Sequence, residues 1–497
     1  MRVLLVYPNM RGMNMLPPAI GLFSAILKAR GHTVSLFDST DYPNPEDTDF
    51  DSDKIKEKNL NARPFDDALL RSSFVDEDVF SAFRKFVGNF NPDLIAMSCT
   101  EDMFPFGMRL LEAIAGVKIP KIVGGVFPTF APEMVLSHPE VDMICIGEGE
   151  RAIPELCDRM EKGKSFDDVS GLWIKKNGSI LRNPVADPVD INENPPLDIS
   201  IFAEGRLYRP MQGRVWRMLP LETHRGCPYQ CTFCNSPVQY AKYRKETGKS
   251  FFRKKRIDKV CEEIRIFRDV YKAEALYFWA DSFLAYSDKD FNEFVEMYSE
   301  FKIPFWCQTR PETVTHDRIK KLSELGLFRI AFGVEHGNPE FRRKILRRNV
   351  SNETIVKSLK IVNDLGVMFS VNNILGFPYE TRELTFDTIE LNRRFNADGI
   401  NAYSFSPFHG TFLRTLAEKE GFIAPETIAR SITKTTLLTM PQYPPERIAG
   451  MQRCFVLYVK MPKARWPEIA KAEEFTPEGN KMWEKLRDEC AEKYLDF

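Results

Sequence analysis

The sequence predicts an α/β protein with two sheets of largely parallel strands, followed by a small helical segment. Short apolar runs alternate with amphipathic helical patterns over residues 1–165, and the alternation returns as six β/α repeats over residues 215–415. Residues 166–214 are rich in Asn, Asp and Pro and are predicted to be a linker, and residues 416–497 are predicted to form a small helical cap. A chain of 497 residues accommodates this arrangement, because domains take about 100–200 residues each.

The first segment is predicted to be a doubly wound domain, in which helices cover both faces of a parallel sheet. Its strand candidates are short apolar runs at 3–7, 34–38, 94–98, 121–125 and 143–147. Ligands of such sheets bind beyond the carboxyl ends of the strands. The residues predicted to lie along that edge are Asn9, Ser98, Gly124, Gly125 and Glu148. A tight turn would explain the glycine pair equally well.

Residues 39–76 interrupt the alternation with an acidic stretch that contains prolines. A segment of this length without a clear pattern is usually functional or disordered. We expect a mobile surface insertion in preference to a lid over the substrate. In the linker, a short hairpin is expected around Trp173 and Ile180.

The second set of repeats is predicted to be a partial (β/α)6 barrel of the TIM type. Its strand candidates are 218–222, 275–279, 304–308, 328–334, 369–375 and 400–405, and its helix candidates are 259–270, 291–301, 318–325, 354–365 and 383–395. In barrels of parallel strands the active site lies at the carboxyl ends of the strands. The loop after the first of these strands is therefore the first place to search for chemistry.

Three cysteines stand in that loop, Cys227, Cys231 and Cys234, with the spacing C-x-x-x-C-x-x-C. Iron–sulfur clusters normally take four cysteine thiolates, so three thiolates without a fourth nearby leave one iron of a cubane open to another ligand. A zinc site with His224 as the fourth ligand is the alternative, because structural zinc takes four Cys or His ligands. The close spacing of the three thiols favours the iron–sulfur cluster.

This loop resembles the signature of the radical S-adenosylmethionine (SAM) superfamily, including the aromatic Phe233 before the last cysteine. The resemblance implies a 4Fe-4S cluster on the three cysteines, with SAM chelating the fourth iron and Phe233 lying against the adenine. Reductive cleavage of SAM at such a cluster yields methionine and a 5′-deoxyadenosyl radical. An electron donor such as flavodoxin or ferredoxin is implied with it.

Other strand ends resemble the same superfamily. The segments concerned are 280–283, 333–337, 372–380 and 406–411. The resemblance implies that Asp281, Glu335 and Asn373 bind SAM. Arg310 is a candidate cation for the carboxylate of SAM, since a zwitterionic amino acid needs acceptors for its ammonium group and a cation for its carboxylate. A surface ion pair is the alternative role for each of the two acidic residues.

Residues 1 to about 160 resemble the cobalamin-binding domain that precedes many radical SAM enzymes, on segments 17–22, 31–34, 124–129 and 147–150. The cobalamin-binding residues that this resemblance implies are Ser98, Gly124, Gly125, Thr129 and Glu148. The D-x-H-x-x-G motif, which supplies a lower histidine ligand in classical cobalamin enzymes, is absent after the first strand, where residues 8–12 read Pro-Asn-Met-Arg-Gly. We therefore expect base-off cobalamin without that histidine.

These resemblances predict a cobalamin-dependent radical SAM C-methyltransferase. One SAM would methylate cobalamin, a second would give the radical that takes hydrogen from an unactivated carbon, and methylcobalamin would deliver the methyl group. A cyclase or rearrangement enzyme with the same cofactors is the first alternative, and a non-enzymatic zinc-stabilised binding protein is another. A methylthiotransferase is disfavoured, because Cys99, Cys145 and Cys157 are too scattered to form an N-terminal cysteine triad.

Net charge and composition restrict the classes of partner that the protein is expected to bind. The formal net charge is −1 at pH 7, so no global field attracts nucleic acid or an anionic membrane, and the basic run 253–256 is expected to be a solvated face. Ten cysteines, three of them clustered, favour a reducing compartment. A helix needs about 18 consecutive apolar residues to span a bilayer, and no apolar run in the sequence approaches that length. We predict a cytoplasmic enzyme whose substrate is a small molecule or a protein side chain.

Overall fold

A computed structural model describes residues 1–44 and 52–495. The strands are β1 Arg2–Tyr7, β2 Thr33–Asp38, β3 Leu94–Ser98, β4 Lys121–Gly124, β5 Met143–Cys145, β6 Leu172–Lys176, β7 Ser179–Arg182, β8 Tyr208–Met211, β9 Arg214–Glu222, β10 His224–Arg225, β11 Arg253–Lys254, β12 Ala275–Trp279, β13 Phe305–Thr309, β14 Leu327–Glu335, β15 Met368–Leu375 and β16 Gly399–Ser404.

The helices follow the predicted alternation. They are α1 Pro18–Ala29, α2 Ser52–Lys58, α3 Ala68–Arg71, α4 Val79–Phe90, α5 Phe104–Glu112, α6 Val126–Phe130, α7 Pro132–Ser137, α8 Ala152–Glu161, α9 Ser236–Thr247, α10 Ile257–Asp269, α11 Asp288–Tyr298, α12 His316–Glu324, α13 Pro339–Lys344, α14 Asn352–Asp364, α15 Arg382–Asn392, α16 Phe412–Lys419, α17 Pro445–Lys460, α18 Trp466–Ala472 and α19 Pro477–Tyr494. None of the helices that the structure describes is both long and apolar enough to cross a membrane.

The chain divides into two compact units. Unit 1 consists of Met1–Asp51, Asp67–Arg209 and Val238–Lys272, and unit 2 consists of Ser52–Asp66, Pro210–Pro237 and Ala273–Phe497. The limits of the four segments predicted from the sequence stay predictions.

Unit 1 is built on one sheet with the strand order β2-β1-β3-β4-β5-β6-β7. Strands β1 to β5 pair in parallel, and β6 and β7 add an antiparallel hairpin at one edge. Parallel strands are apolar throughout because helices cover both faces, and Leu4, Ile95 and Val123 are fully buried accordingly. The chain direction across the sheet reverses between β1 and β3, which is where such folds bind their ligands. The predicted doubly wound fold and the hairpin at Trp173 and Ile180 are confirmed.

The predicted insertion at 39–76 contains two short helices. Helix α2 belongs to unit 2 and α3 to unit 1. Residues 45–51 of the insertion lie outside the described residues, so its predicted mobility stays a prediction.

Unit 2 is built on a sheet with the order β16-β15-β14-β13-β12-β9-β8. The six strands β9 and β12 to β16 pair in parallel. In the part of the chain that the structure describes, β16 and β8 stand at opposite ends of this order, so the sheet does not close on itself. The predicted partial barrel is therefore confirmed.

The C-terminal part of unit 2 is helical, as predicted. Arg393, which follows α15, donates hydrogen bonds to the main-chain carbonyls of Tyr458, Val459 and Met461 at 2.7–2.8 Å. These are carbonyls at the end of α17, which have no partner within the helix. A cation at a helix carboxyl terminus also meets the negative end of its dipole. Arg393 thus attaches the C-terminal helices to the barrel.

Candidate functional site

Cys227, Cys231 and Cys234 lie between β10 and α9, beyond the carboxyl end of the first parallel strand of the barrel. All three are free and partly exposed. The three thiols lie near one another, since Cys227 interacts electrostatically with both Cys231 and Cys234. Burial raises the pKa of Cys227 to about 12 and that of Cys234 to about 11. A bound metal ion reverses this effect, because a coordinating thiol is deprotonated.

Thr232 fixes the middle of this loop. Its hydroxyl donates to the carbonyl of Ile345 at 2.6 Å, and its main-chain N–H donates to the carbonyl of Leu346 at 3.3 Å. Its own carbonyl accepts from the N–H of Leu413 at 3.1 Å. Thr232 is buried, so these bonds hold the turn between the last two cysteines. Sequence reasoning missed this residue, because a threonine between cysteines gives no indication of its distant partners.

Arg310 lies against the same loop. Its Nη1 donates to the Sγ of Cys231 at 3.3 Å, and its guanidinium carbon stands 3.8 Å from the centre of the Tyr229 ring. Its Nε donates to Glu312 at 2.6 Å. The residue predicted to meet the carboxylate of SAM therefore contacts a predicted cluster ligand.

Asp281 also meets the thiol loop. Its Oδ2 accepts a hydrogen bond from the hydroxyl of Ser236, two residues after Cys234, at 2.7 Å. Solvent reaches the carboxyl group, yet the surrounding protein desolvates it and raises its pKa above the ordinary value, against the opposing effect of Ser236. The structure thus brings Asp281 and the cysteines together.

Close contacts explain why residues 333 and 337 of the G-x-E-x-G segment are glycines. A Cβ on Gly333 would overlap the Oε1 of Glu335, and a Cβ on Gly337 would overlap the main chain at Asp387. Glu335 has a φ of 66° and is buried, which raises its pKa. Arg348 opposes that shift, since its Nη1 donates to Oε1 at 3.1 Å. The carboxylate is therefore part of a buried ion pair, not of the surface pair given as the alternative.

The structure brings together only some of the residues that were predicted to surround adenine. The ring of Phe233 lies 5.8 Å from that of the buried Phe377, measured between centroids. Asn373 is fully buried, and its Oδ1 accepts from Asn392 of α15 at 2.9 Å. The structure therefore joins Phe233 to the predicted segment but directs the side chain of Asn373 to a helix.

In unit 1, Ser98 and Gly124 end the paired strands β3 and β4, and Gly125 follows. Gly125 has a φ of 111°, and a Cβ there would stand 2.5 Å from the carbonyl oxygen of Cys99. Ser98, Gly124 and Gly125 are all partly exposed. The predicted edge is therefore present, with small residues and an accessible main chain.

Thr129 connects two loops of this edge. Its hydroxyl donates to the carbonyl of Gly125 at 2.9 Å and accepts from the N–H of Gly147 at 2.9 Å. Thr129 is buried. Its polar atom is therefore used to hold the loops after β4 and β5 in position.

Glu148 has partners that the sequence did not indicate. Its carboxylate accepts from Nη2 and Nη1 of Arg253 at 2.7 and 2.9 Å, and its N–H donates to the hydroxyl of Tyr243 at 2.8 Å. Arg253 is partly buried, and Lys255 forms a buried ion pair with Glu263 at 2.6 Å. The prediction of a solvated face is wrong for these two cations, because burying a charge requires a partner.

The three cysteines considered as the N-terminal triad of a methylthiotransferase lie in different secondary-structure elements. Cys99 follows β3, Cys145 ends β5 and Cys157 lies in α8, and all three are buried. Burial raises the pKa of each thiol. Inert buried thiols are the ordinary consequence of such surroundings.

Comparison with family models now identifies the class. Residues 221–391 match the radical SAM superfamily, so the chain is a radical SAM enzyme. Residues 65–157 match the B12 binding domain. The chain therefore combines a radical SAM domain with a cobalamin-binding domain. The predicted cofactors, a 4Fe-4S cluster, SAM and cobalamin, are confirmed by this pair of domains, and the zinc-binding alternative is wrong.

Individual relatives agree with this assignment. The chain is 23% identical over 417 residues to an uncharacterized methyltransferase of Pyrococcus horikoshii, covering 81% of this chain and 86% of that one. It is 22% identical over 426 residues to an anaerobic magnesium-protoporphyrin IX monomethyl ester cyclase of Rubrivivax gelatinosus, covering 82% and 68%. The fold matches that of the radical SAM methyltransferase TsrM from Kitasatospora setae, solved with cobalamin and a 4Fe-4S cluster, with a TM-score of 0.66, 13% identity and coverage of 98% and 99%.

Proposed function

We propose that the protein is a cobalamin-dependent radical SAM C-methyltransferase that acts on an unactivated carbon. The observation that carries this proposal is the three-thiol loop at the carboxyl end of the first barrel strand, in a chain that also has a cobalamin-binding domain. The similarity to a methyltransferase over 81% of the chain supports it. A cytoplasmic location and a flavodoxin or ferredoxin as electron donor belong to the same proposal.

The residues present fit the cofactors. Cys227, Cys231 and Cys234 are soft donors on one loop and would hold the cluster, and the small residues after β3 and β4 would hold base-off cobalamin. When bound, the cluster and SAM supply a 5′-deoxyadenosyl radical for hydrogen abstraction, and cobalamin carries the methyl group. The protein contributes binding, orientation and electrostatics.

Asp281 and Glu335 are suited to accept the ammonium group of SAM. Each has one carboxylate oxygen engaged, by Ser236 and by Arg348 respectively. In the part of the chain that the structure describes, the other oxygen of Asp281 has no hydrogen-bond partner. Phe233 would cover one face of the adenine ring. Arg310, through the hydrogen bond that it donates to Cys231, would position that sulfur for the cluster.

Metal analysis tests the cofactor part of the proposal. Protein purified without oxygen from cobalamin-fed cells should hold about four irons, as one cubane requires, and one cobalt. Cys231→Ala should lose the iron and keep the cobalt. Cys261→Ala, which changes a partly exposed cysteine in α10, should keep both metals. Iron without cobalt in the unaltered protein would contradict the proposal.

Isotope transfer separates methylation from cyclisation. SAM with a deuterated methyl group is incubated with the reduced holoenzyme and a metabolite extract from the source cells. A product that gains one deuterated methyl group, with S-adenosylhomocysteine and 5′-deoxyadenosine formed together, supports methylation. A product without label, formed with 5′-deoxyadenosine alone, supports the cyclase that the Rubrivivax gelatinosus relative suggests.

A further inference from the structure

The barrel sheet of unit 2 has an outer face, which packs on helices, and an opposite inner face. Phe278 of β12 lies 5.4 Å from Phe294 and 5.7 Å from Tyr298, both in α11, measured between ring centroids. Phe278 therefore points outward. Side chains alternate along a strand, so the neighbouring Tyr277 and Trp279 point inward.

The strand register extends this assignment across the sheet, because side chains of directly paired residues lie on the same face. The relevant pairs are Trp279 with Glu222, Tyr277 with Trp306, Trp306 with Arg329, Arg329 with Met368, Asn372 with Asn401 and Ile374 with Tyr403. We call five polar or aromatic residues in the carboxyl half of this face the inner-face cluster: Trp279, Gln308, Asn372, Asn401 and Tyr403.

The inner-face cluster is accessible. Trp279 is 38% exposed, although strand residues 275–278 before it are buried. The other four members are partly exposed. Neighbouring aromatic rings hold the indole of Trp279 in position. Its centroid lies 5.6 Å from that of Tyr277, and the Tyr277 ring packs edge-on against Trp306 with a centroid distance of 4.3 Å. A large aromatic side chain held in position at an open face is a platform for a ring.

Hydrogen-bonding groups of the cluster are uncommitted. Asn401 donates to the Oδ1 of Asn372 at 2.9 Å, and Gln308 donates to the carbonyl of Ala280 at 3.2 Å. Within residues 1–44 and 52–495, the amide nitrogen of Asn372, the amide oxygen of Gln308 and the hydroxyl of Tyr403 have no partner. The face therefore offers a donor, an acceptor and a hydroxyl that can act as either.

The charged groups of this face are already paired. Arg225 donates to both oxygens of Glu222 at 2.8 and 3.0 Å. Arg329 and Asp398 form an ion pair at 2.8 Å. A charged ligand would have to compete with these pairs or be buried without a counter-ion, which is costly.

We propose that the inner-face cluster is a substrate subsite for an uncharged ring that carries hydrogen-bond donors and acceptors. The ring stacks on Trp279, and its polar groups bond with Gln308, Asn372 and Tyr403. A heteroaromatic ring and a sugar ring share this chemistry. The inference rests on the proposed function, which requires a substrate at the carboxyl ends of the barrel strands.

Equilibrium dialysis against the anaerobic holoenzyme tests the subsite with three probes: uridine, methyl glucoside and uridine 5′-monophosphate. Uridine binding without methyl glucoside binding identifies a heteroaromatic subsite, and the reverse identifies a sugar subsite. In either case Trp279→Ala should weaken binding about tenfold, a loss of about 1.4 kcal/mol, because it removes the stacking of the ring on an aromatic side chain. Tyr403→Phe, which removes only a hydroxyl, should weaken it about fivefold. The monophosphate should bind more weakly than uridine.

Binding of neither neutral probe, tight binding of the monophosphate, or unchanged binding in both variants would overturn the inference. Iron and cobalt are measured on every preparation, and retention of both metals in Trp279→Ala shows that the variant folds. The dialysis needs no turnover, so absent methyl transfer with intact probe binding contradicts only the proposed function. Intact methyl transfer without probe binding contradicts only the subsite.

Discussion

The cofactor edges of the two units use their side chains in opposite ways. In unit 1, the predicted ligands Thr129 and Glu148 are engaged by other parts of the unit, through Gly147 and Arg253. In unit 2, the predicted ligand Asp281 keeps a free oxygen in the described structure while Ser236 holds it in position. The first edge therefore presents mainly backbone, and the second presents side chains, namely the three thiols and the carboxylate of Asp281.

This difference suits the two cofactors. A large cofactor at the end of a parallel sheet needs close approach of the main chain, which small residues allow. An iron–sulfur cluster needs cysteine side chains, each of which provides one thiolate ligand. Substitutions at the first edge should therefore act on packing, whereas those at the second should act on the metal.

The largest effect is expected for Gly125→Ala in unit 1. The new Cβ would meet the carbonyl of Cys99 at 2.5 Å, at a φ of 111° that other residues rarely adopt. We expect a loss of about 3 kcal/mol in the free energy of unfolding and loss of cobalt. Gly124→Ala is the matched control, since its Cβ would come no closer than 3.7 Å to another atom. Denaturant titration compares the two variants, and equal free energies of unfolding would remove the steric argument. Cobalt analysis is made on Gly125→Ala.

Glu148→Gln should cost about 2 kcal/mol, because it leaves the largely buried side chain of Arg253, which is 16% exposed, without its carboxylate. Asp187→Asn breaks the exposed pair with Lys249 and should cost less than about 0.5 kcal/mol. Urea unfolding of the two variants measures the difference. Equal costs would mean that Glu148 is not held by its ion pair.

Thr232→Val should act on the second edge. It removes the hydroxyl that bonds with the carbonyl of Ile345, at a cost of about 1 kcal/mol. We expect faster iron release to a chelator than from the unaltered protein, with cobalt retained. Loss of cobalt with unchanged iron release would contradict the separation of the two edges.

Arg310→Gln should give the smallest effect. Removing a cation beside the sulfur of Cys231 disfavours the more negative, reduced cluster, so its reduction potential should become more negative. Potentiometry followed by electron paramagnetic resonance, without SAM, measures the shift. Arg318→Gln is the control, because that cation pairs with Asp288. An unchanged or more positive potential in Arg310→Gln would exclude this role.

The sequence predicted features whose cause is local. Apolar runs located the strands within a few residues, and the spacing of three cysteines located the thiol loop. Arg253 was misinterpreted because its partner Glu148 lies 105 positions earlier in the chain. Thr232 was missed because its hydroxyl acceptor lies 113 positions later. Pairing across such distances leaves no pattern in a single sequence.

The predicted adenine segment shows a second limit, that of register. Asn372 and Asn373 are adjacent, and their side chains point to opposite faces of the sheet. The register between β14 and β15 shifts between Gly333 and Glu335. The resemblance of this segment to the radical SAM superfamily could not show which asparagine faces inward, because a shift of one residue in the strand register exchanges the two faces of the sheet.

The three hydrogen bonds of Thr232 also set an order of events during synthesis of the protein. Two of its partners belong to residues 345 and 346, and the third is the N–H of Leu413. Chains fold from the N-terminus as they leave the ribosome, and the cysteine loop emerges long before these partners do. The full set of three bonds therefore forms only after residue 413 has been made. We expect iron and sulfide to be inserted after translation, into a barrel that is already complete.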